Sequence, residues 1–515
     1  MLRTDLIAPI PELLRRNAAT HAAKIAYRDA QTSVSYADLF ERTSKLAGHL
    51  ADAGIEANDA VAIMLPNSVA WAESCLAVTR AGAIGVPISY DATETEVAYR
   101  LADANCKAVF TTGERGDLVA RLQTSSAPDL RALIVTDRGA CSAAALRYEH
   151  LATAPAKSAP RDPASLHDTS FILYTSGTTG RAKGVRLTVH GMLWIAAACW
   201  APITGLCERD ILLSPLPLFH SYALNLTVLG VLATGASAHI MERFSTSEAV
   251  RLLASGEFTY FPGVPTMFHY LLQATRGEPG LKFPNLRLCI SAGAIMPATL
   301  NRDFEERFGI QLLDGYGITE TSTMVIMNWP SGVRIMGSCG IPLPGLAVRI
   351  VDASAADVPP GTEGELIIRG PSVMPGYHNK PEETRNALRA GWYHTGDLAK
   401  CDENGFVTIT GRLKELIIRG GQNIAPAEIE EVVNGFAAVL DSAVVGIAHE
   451  HLGEVPALFV VPRPQQAIES EALLAHCRKH LSAYKVPHVV RLIAEIPRTG
   501  SGKIIRYKLR ELIEA

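Results

Sequence analysis

From residue 36 the chain alternates a helix-length, alanine-rich segment, YADLFERTSKLAGHLADAG, with two short β-branched and apolar runs, AVAIML and AGAIGVPI. The same alternation fills the first 150 residues. Short apolar runs separated by helical segments predict strands that lie parallel, each reached through a helix that covers the sheet. From 155 to 168 the periodicity stops and Pro, Ala and Ser accumulate, which predicts a connecting loop ahead of a strand FILY, Phe171 to Tyr174.

Strand and helix alternation resumes through FTYFPGVPTMFHYLL and LRLCISAGAIM, and the texture changes near residue 335. The segments GLAVRIVD, GELIIRG and FVTITGR are short, alternating and separated by Gly, Pro and Asp, as in a small antiparallel barrel or sheet. After Gly411 come GRLKELIIRGGQNIAPAEIEEVV, strand-like VLDSAVVGIA and VPALFVV, and a helix in ESEALLAHCRKHLSAY. These residues form a compact α+β unit beside the larger body. The expected class is α/β: a body of layered α/β subdomains with a small antiparallel barrel over residues 1–411, then a small mobile α+β domain over 412–515.

At 515 residues and 48% hydrophobic composition the chain can bury a sizeable core. Lysine and arginine number 48 against 52 acidic residues, so no global charge draws it to nucleic acid or anionic lipid. Any anionic ligand must be met locally. The nine cysteines form no CxxC pair and no zinc spacing, which predicts reduced thiols in a cytoplasmic protein. The first residues, MLRTDLIAPIPELLRRNAATHAAK, break their apolar stretch with prolines and charges and resemble neither a signal peptide nor a spanning helix.

Directly after FILY stands TSGTTGRAKGV, with three glycines, hydroxyl side chains and Lys183. Glycines let a turn bring backbone N–H groups close to an oxyanion, hydroxyls add donors and a lysine adds mobile positive charge. The loop reads as a phosphate cradle, although a plain surface turn has the same composition. It is not a Walker A loop, because Arg181 and Ala182 separate Gly180 from Lys183.

Other stretches point the same way. DGYGITET (314–321) sets an aromatic between two glycines, followed by a hydroxyl and a carboxylate: a plane for a base, and Glu320 for Mg²⁺ beside phosphate. WYHTGD ends in Asp397, whose two oxygens suit vicinal ribose hydroxyls. Arg412 and Lys414 stand at the domain boundary, and PRTGSGKIIR offers Lys503 on a glycine turn. Singly, each is explained by a turn, a helix end or a solvated charge; their joint appearance is not.

In this combination the motifs resemble the adenylate-forming superfamily of acyl-CoA synthetases, peptide-synthetase adenylation domains and beetle luciferases, from about residue 10 to residue 510. The resemblance implies that Thr175, Ser176, Gly177, Thr178, Thr179, Gly180 and Lys183 close over the ATP phosphates. It implies that Gly293 and Ala294, with Asp314, Gly315, Tyr316 and Gly317, line the adenine slot. Thr319 would bond the α-phosphate, Glu320 would hold Mg²⁺, and Asp397 and Arg412 the ribose. Lys503 would touch carboxylate and α-phosphate, and Lys414 would be the hinge on which the small domain turns between acyl-AMP formation and thiol attack.

LPLFHSYALNLTVLG matches the family's acyl-pocket helix, with His220 at the mouth of the carboxylate site. Tyr222, Asn225, Val264, Met324 and Val325 are expected to face the acyl group, with Asn225 available to one polar group. Malonyl-CoA synthetases commonly carry an arginine just before the Tyr-Gly pair; here Gly315 stands there. The pocket also lacks the aspartate with which amino-acid-activating relatives hold an ammonium. Burying an unpaired charge is costly, so an apolar fatty or aryl monocarboxylate is expected. Where many relatives read Gly-x-Ala-Pro-Leu this chain has GAIM, a departure at the pocket floor. RGGQNIAPAEIE looks like the acyl-CoA ligase form of the hinge region, which favours CoA as acceptor over a carrier protein. Oxidation of the adenylate, as in luciferases, has no motif of its own here.

Overall fold

The computed structural model describes residues 2–175, 182–420, 422–498 and 503–514. Ser176, Gly177, Thr178, Thr179 and Gly180 therefore lie outside the described residues. Two large sheets form the body. In the first, parallel strands Ile84–Pro87, Ala60–Ile63, Cys106–Thr112 and Ala132–Thr136 are neighbours, as the alternation predicted. Strand β1 (Thr169–Thr175) joins them in parallel, and β2 (Lys183–Thr188) turns back antiparallel to β1, with Thr175 opposite Lys183. The glycine-rich loop thus has both of its ends pinned side by side.

The second sheet runs parallel through Ile25–Arg28, Ser237–Ile240, Ile211–Ser214, Tyr260–Gly263, Leu288–Ser291 and β3 (Gln311–Ile318). Residues 311–314 of β3 pair in parallel with Leu288–Ser291, and residues 315–318 pair antiparallel with Thr323–Met327. The helices Tyr36–Asp52 and Val69–Arg80 lie between elements of both sheets, in one apolar cluster that joins Ile63 and Phe110 to Leu212 and Ala238. Each starts on a serine that accepts from a first-turn N–H, Ser35 from Asp38 and Ser68 from Trp71, so donors at the helix start are satisfied where the chain leaves a strand or loop.

A third, antiparallel sheet holds Ala347–Val351, Gly364–Arg369, β5 (Trp392–Cys401) and β6 (Val407–Arg412), in agreement with the short alternating strands read there. The two-residue strand β4 (Gly376–Tyr377) leaves this region to pair with β2 in the first sheet. A 3₁₀ turn, Leu413–Glu415, is all that lies between β6 and the next strand but for Leu416. From Ile417 onward the chain builds its own sheet, with Val439–His449 and Gly453–Pro462 as a long hairpin. Its strand alternation sorts Leu458 and Val460 into one apolar cluster and Phe459 and Val461 into another, so both faces are covered by C-terminal residues.

Two elements differ from expectation. The helix expected through Tyr484 stops at His480, and residues 483–485 form a separate 3₁₀ turn. The helix after His220 is α-helical only at Ser221–Ala223 and Val231–Thr234; Leu224–Gly230 between them is π-helical, a widening that the apolar sequence does not announce. No helix among the described residues is long and apolar enough to cross a membrane.

Gly317 exists for a close approach of strands: a Cβ there would stand 1.5 Å from the Thr323 carbonyl oxygen. Gly317→Ala is expected to destabilise the protein by about 2 kcal/mol or more through forced backbone movement, whereas Gly277→Ala, with nothing within 4 Å, should stay within about 0.5 kcal/mol of the parent. Denaturant midpoints of the two variants check this contrast.

Candidate active site

The candidate site lies where strands end. Val264 follows Tyr260–Gly263, Gly293 follows Leu288–Ser291, and Asp314 to Gly317 lie on β3, so three adjacent strands deliver these residues at their carboxyl ends. In an open α/β sheet that edge is where ligands bind, because the loops there diverge and leave a crevice. Gly293, at φ +88°, turns the chain in a conformation glycine adopts without strain, and leaves Ala294 half-buried beside it. Ser291 and Asp314 are direct partners across the two strands, both buried, and Ser291 Oγ and Asp314 Oδ1 find no hydrogen bond among the described residues. Burial lifts the Asp314 carboxyl well above the usual range, against the backbone of Gly315 and the Cys339 thiol, which pull it down.

Tyr316 donates its hydroxyl to Asp397 Oδ2 at 2.5 Å, and Arg412 Nε donates to Asp397 Oδ1 at 2.9 Å. Asp397 and Arg412 are direct partners in the β5–β6 pairing, so the sheet register sets their contact. Both oxygens of Asp397 already accept one bond, and each keeps a further lone pair.

Glu320 sits in the 3₁₀ turn Thr319–Thr321, half-buried. Its Oε1 accepts from the Tyr377 hydroxyl at 3.1 Å, and its carbonyl accepts from Met374 N–H at 2.8 Å. Burial raises its carboxyl, while Tyr377 and the charge of Lys503 pull it back down. Thr319 Oγ1 lies 3.4 Å from Ser221 Oγ, which links this turn to the segment that starts at His220. Among the described residues no group of three or more His, Cys, Asp and Glu can hold a metal ion by itself.

His220 precedes that segment and packs against Phe219, with ring centroids 4.2 Å apart. Burial, aided by the nearby charge of Lys503, pushes its imidazole down to about 3. Lys503 comes from the C-terminal unit. Its side chain keeps access to solvent, yet its charge is felt at both His220 and Glu320. Its ammonium is shifted below the ordinary lysine value by burial and by Arg412, against the opposing pull of Glu320, Asp397 and Glu415. Lys414 is exposed in the connecting turn. Lys183 is half-buried at the start of β2, with its Nζ 5.2 Å from the Tyr377 ring centroid.

The expected acyl-facing set is partly corrected. Asn225 is fully buried and spends its amide inside the protein. Nδ2 donates to the carbonyls of Met192 (2.8 Å) and Ser322 (3.1 Å), and Oδ1 accepts from Trp200 Nε1 at 2.7 Å. It pins three segments together and has no amide hydrogen left for a ligand. Met324 and Val325 are both buried in Thr323–Met327, whose pairing with β3 is irregular between Tyr316 and Gly317, and Met324 Sδ lies 2.6 Å from where a Gly315 Cβ would stand. Tyr222 is half-buried, with its hydroxyl on the Ile290 carbonyl, and Val264 lines the turn at Gly293.

Sequence reasoning missed Tyr377 and Arg506. Arg506, three positions after Lys503, donates to Glu415 (2.9 Å), Glu430 (2.5 Å) and the Val444 carbonyl (2.7 Å), which ties the base of the lysine turn to the residue after Lys414. Nothing in the spacing of GKIIR announces those partners; a buried arginine is visible only once its acids converge.

The AMP-binding enzyme family model matches residues 14–378, and the AMP-binding enzyme C-terminal domain matches residues 428–503. Feruloyl-CoA synthase of an Amycolatopsis species is 34% identical over 96% of this chain and 97% of its own length. A long-chain-fatty-acid–CoA ligase of Yersinia pestis is 33% identical over 98% of this chain and 95% of its own. The crystal structure of the anthranilate CoA ligase AuaEII with anthranoyl-AMP superposes with a TM-score of 0.91 at 25% identity, covering 99% of both chains. The chain belongs to the AMP-binding enzyme family. It is an AMP-forming acid–thiol ligase of the acyl-CoA synthetase type.

The depressed His220 value has a definite sign. The unfolded ring takes its proton near 6.5 and the folded one only near 3, so protonation opposes folding, and the stability carried by the neutral ring is lost as pH falls from about 6.5 toward 3. The ring is therefore neutral at neutral pH. The pH profile of pyrophosphate exchange should show no acid limb near 6.5 that His220→Gln abolishes. Such a limb would contradict the assignment.

Proposed function

We propose that the chain joins ATP and an apolar fatty or aryl monocarboxylic acid to form acyl-AMP and pyrophosphate, then passes the acyl group to the thiol of CoA. The observation that carries this reading is the placement of charge: Asp397 pairs with Arg412, Glu320 is held by Tyr377, and Lys503 of the C-terminal unit stands within range of all three charges, which shift its ammonium. In the first step a carboxylate oxygen bonds to the α-phosphorus as the bond to the β-phosphate oxygen breaks. Both reactants are anions, so positive charge fixed beforehand at the meeting point lowers the barrier. Lys503 supplies it between carboxylate and α-phosphate, Lys183 and the adjoining loop supply it at the β and γ phosphates, and the Thr319 hydroxyl donates to the α-phosphate.

The orphaned acceptors Asp314 Oδ1 and Ser291 Oγ suit a nucleobase with hydrogen-bond donors, since a buried acceptor without a donor costs stability until one arrives. Tyr316 offers the stacking face, and Asp397 with Arg412 the ribose contacts. Mg²⁺ takes oxygen donors, usually one or two carboxylates plus phosphates. Glu320 and Thr319 fit that donor set, and the bound ion would neutralise phosphate charge. The neutral His220 stands at the carboxylate entrance without adding charge of its own.

In the second step the thiol sulfur attacks the acyl carbon and AMP leaves. Lys503 has to withdraw to admit it, and the exposed Lys414, in the short turn that joins β6 to the C-terminal sheet, is the proposed point of rotation. The division at residues 411 and 412 is placed on the same ground. For the acid, the site before Tyr316 is closed by the Met324 thioether over Gly315, so a second carboxylate finds no cation there. The feruloyl-CoA synthase and long-chain-fatty-acid–CoA ligase relatives support an apolar acid.

Pyrophosphate exchange into ATP, run without thiol across fatty, aryl, amino and dicarboxylic acids, tests this reading. One apolar monocarboxylate class should respond, and CoA should then consume the adenylate. Exchange driven by dicarboxylic or amino acids would contradict the assignment. Turnover with carrier-protein pantetheine but not CoA would correct the acceptor.

A further inference from the structure

Tyr377 stands in none of the stretches that carry the nucleotide chemistry, yet it touches two of them. Its hydroxyl donates to Glu320 Oε1 at 3.1 Å, and the Lys183 ammonium lies 5.2 Å from its ring centroid. One side chain therefore contacts both the carboxylate assigned to Mg²⁺ and the lysine assigned to the outer phosphates.

The backbone makes this contact rigid. Tyr377 pairs with Val185 and Gly376 with Arg186, so β4 is sewn onto the strand that emerges from the glycine-rich loop. His378 N–H donates to the Gly184 carbonyl at 2.7 Å, and Tyr377 N–H to Thr384 Oγ1 at 3.0 Å. Two residues before β4 begins, Met374 N–H holds the Glu320 carbonyl at 2.8 Å. The residue is 9% exposed. A tyrosine needed only for packing would satisfy its hydroxyl on any carbonyl; this one spends it on a half-buried carboxylate beside a lysine.

We propose that Tyr377 is a positioning residue for ATP and its metal: the hydroxyl orients the Glu320 carboxylate, and the ring holds the Lys183 ammonium over the site of the outer phosphates. The two contacts are separable. A hydrogen bond to one carboxylate oxygen fixes the direction of the other, as outer-shell partners do for metal ligands, where their loss costs about 10–100-fold in metal affinity. The ring attracts the ammonium through its quadrupole, an effect of about 2- to 30-fold in binding. This inference rests on the roles proposed above for Glu320 and Lys183.

The test is calorimetric binding of a non-hydrolysable ATP analogue to the full chain, in EDTA and in Mg²⁺, with melting temperature recorded in parallel. Tyr377→Phe keeps the ring and loses the hydroxyl: affinity in EDTA should stay within about twofold, while the gain on adding Mg²⁺ shrinks about tenfold. Tyr377→Leu loses both, and affinity in EDTA should also fall about fivefold. Glu320→Gln is the control for the underlying reading. A full Mg²⁺ gain in Tyr377→Phe, with the gain reduced in Glu320→Gln, overturns the proposal and leaves the site reading in place. A full gain in Glu320→Gln overturns that reading and the proposal with it. Equal weakening of Tyr377→Phe with and without Mg²⁺ marks a packing role and also overturns the proposal. If Tyr377→Leu does not fold, Tyr377→Phe decides alone on the hydroxyl.

Discussion

The Asp397 carboxylate is where the parts of this protein are joined. Buried at 4% exposure, it accepts from Tyr316 on the second sheet and from Arg412, the last residue of the strand that leads out of the third sheet. A buried carboxylate is tolerated only with such partners, because its desolvation is otherwise uncompensated. Its pairing therefore fixes the nucleotide strand, the antiparallel sheet and the exit toward the C-terminal unit relative to one another. Two residues beyond Arg412 stands Lys414, the proposed hinge of the C-terminal unit.

That arrangement answers an electrostatic problem. A carboxylate and a triphosphate repel, and a cation brought between them after binding would have to shed water at that moment. In the reading proposed above the cations stand in place beforehand, and each has neighbours that shape it. Lys503 stands among three acids and one arginine, and Lys183 lies over the Tyr377 ring. Arg506, bonded to Glu415 and Glu430, carries the position of the residue after Lys414 to the base of the Lys503 turn. In the reading proposed above, a rotation at Lys414 moves Lys503 as a lever between the two half-reactions.

Much of this was legible in sequence because it is local. The alternation of helical and apolar runs fixed layers and parallel strands, and the motifs sat on strand ends where crevices open. What was not legible depends on contacts between distant segments. Asn225 looked available until Trp200, Met192 and Ser322 were seen to engage it. Tyr377 carries no pattern of its own; its meaning comes from β4 pairing with β2, a long-range register that composition does not encode.

The central claim is that Lys503 serves acyl-AMP formation and leaves before thiol attack. Single-turnover rates of the two half-reactions in Lys503→Ala, one from ATP and acid and the other from preformed acyl-AMP and CoA, test it most directly. The account predicts that the first rate falls by at least about 100-fold, the order of a lost transition-state charge contact, while the second stays within a few-fold of the parent. Equal losses in both half-reactions would contradict it.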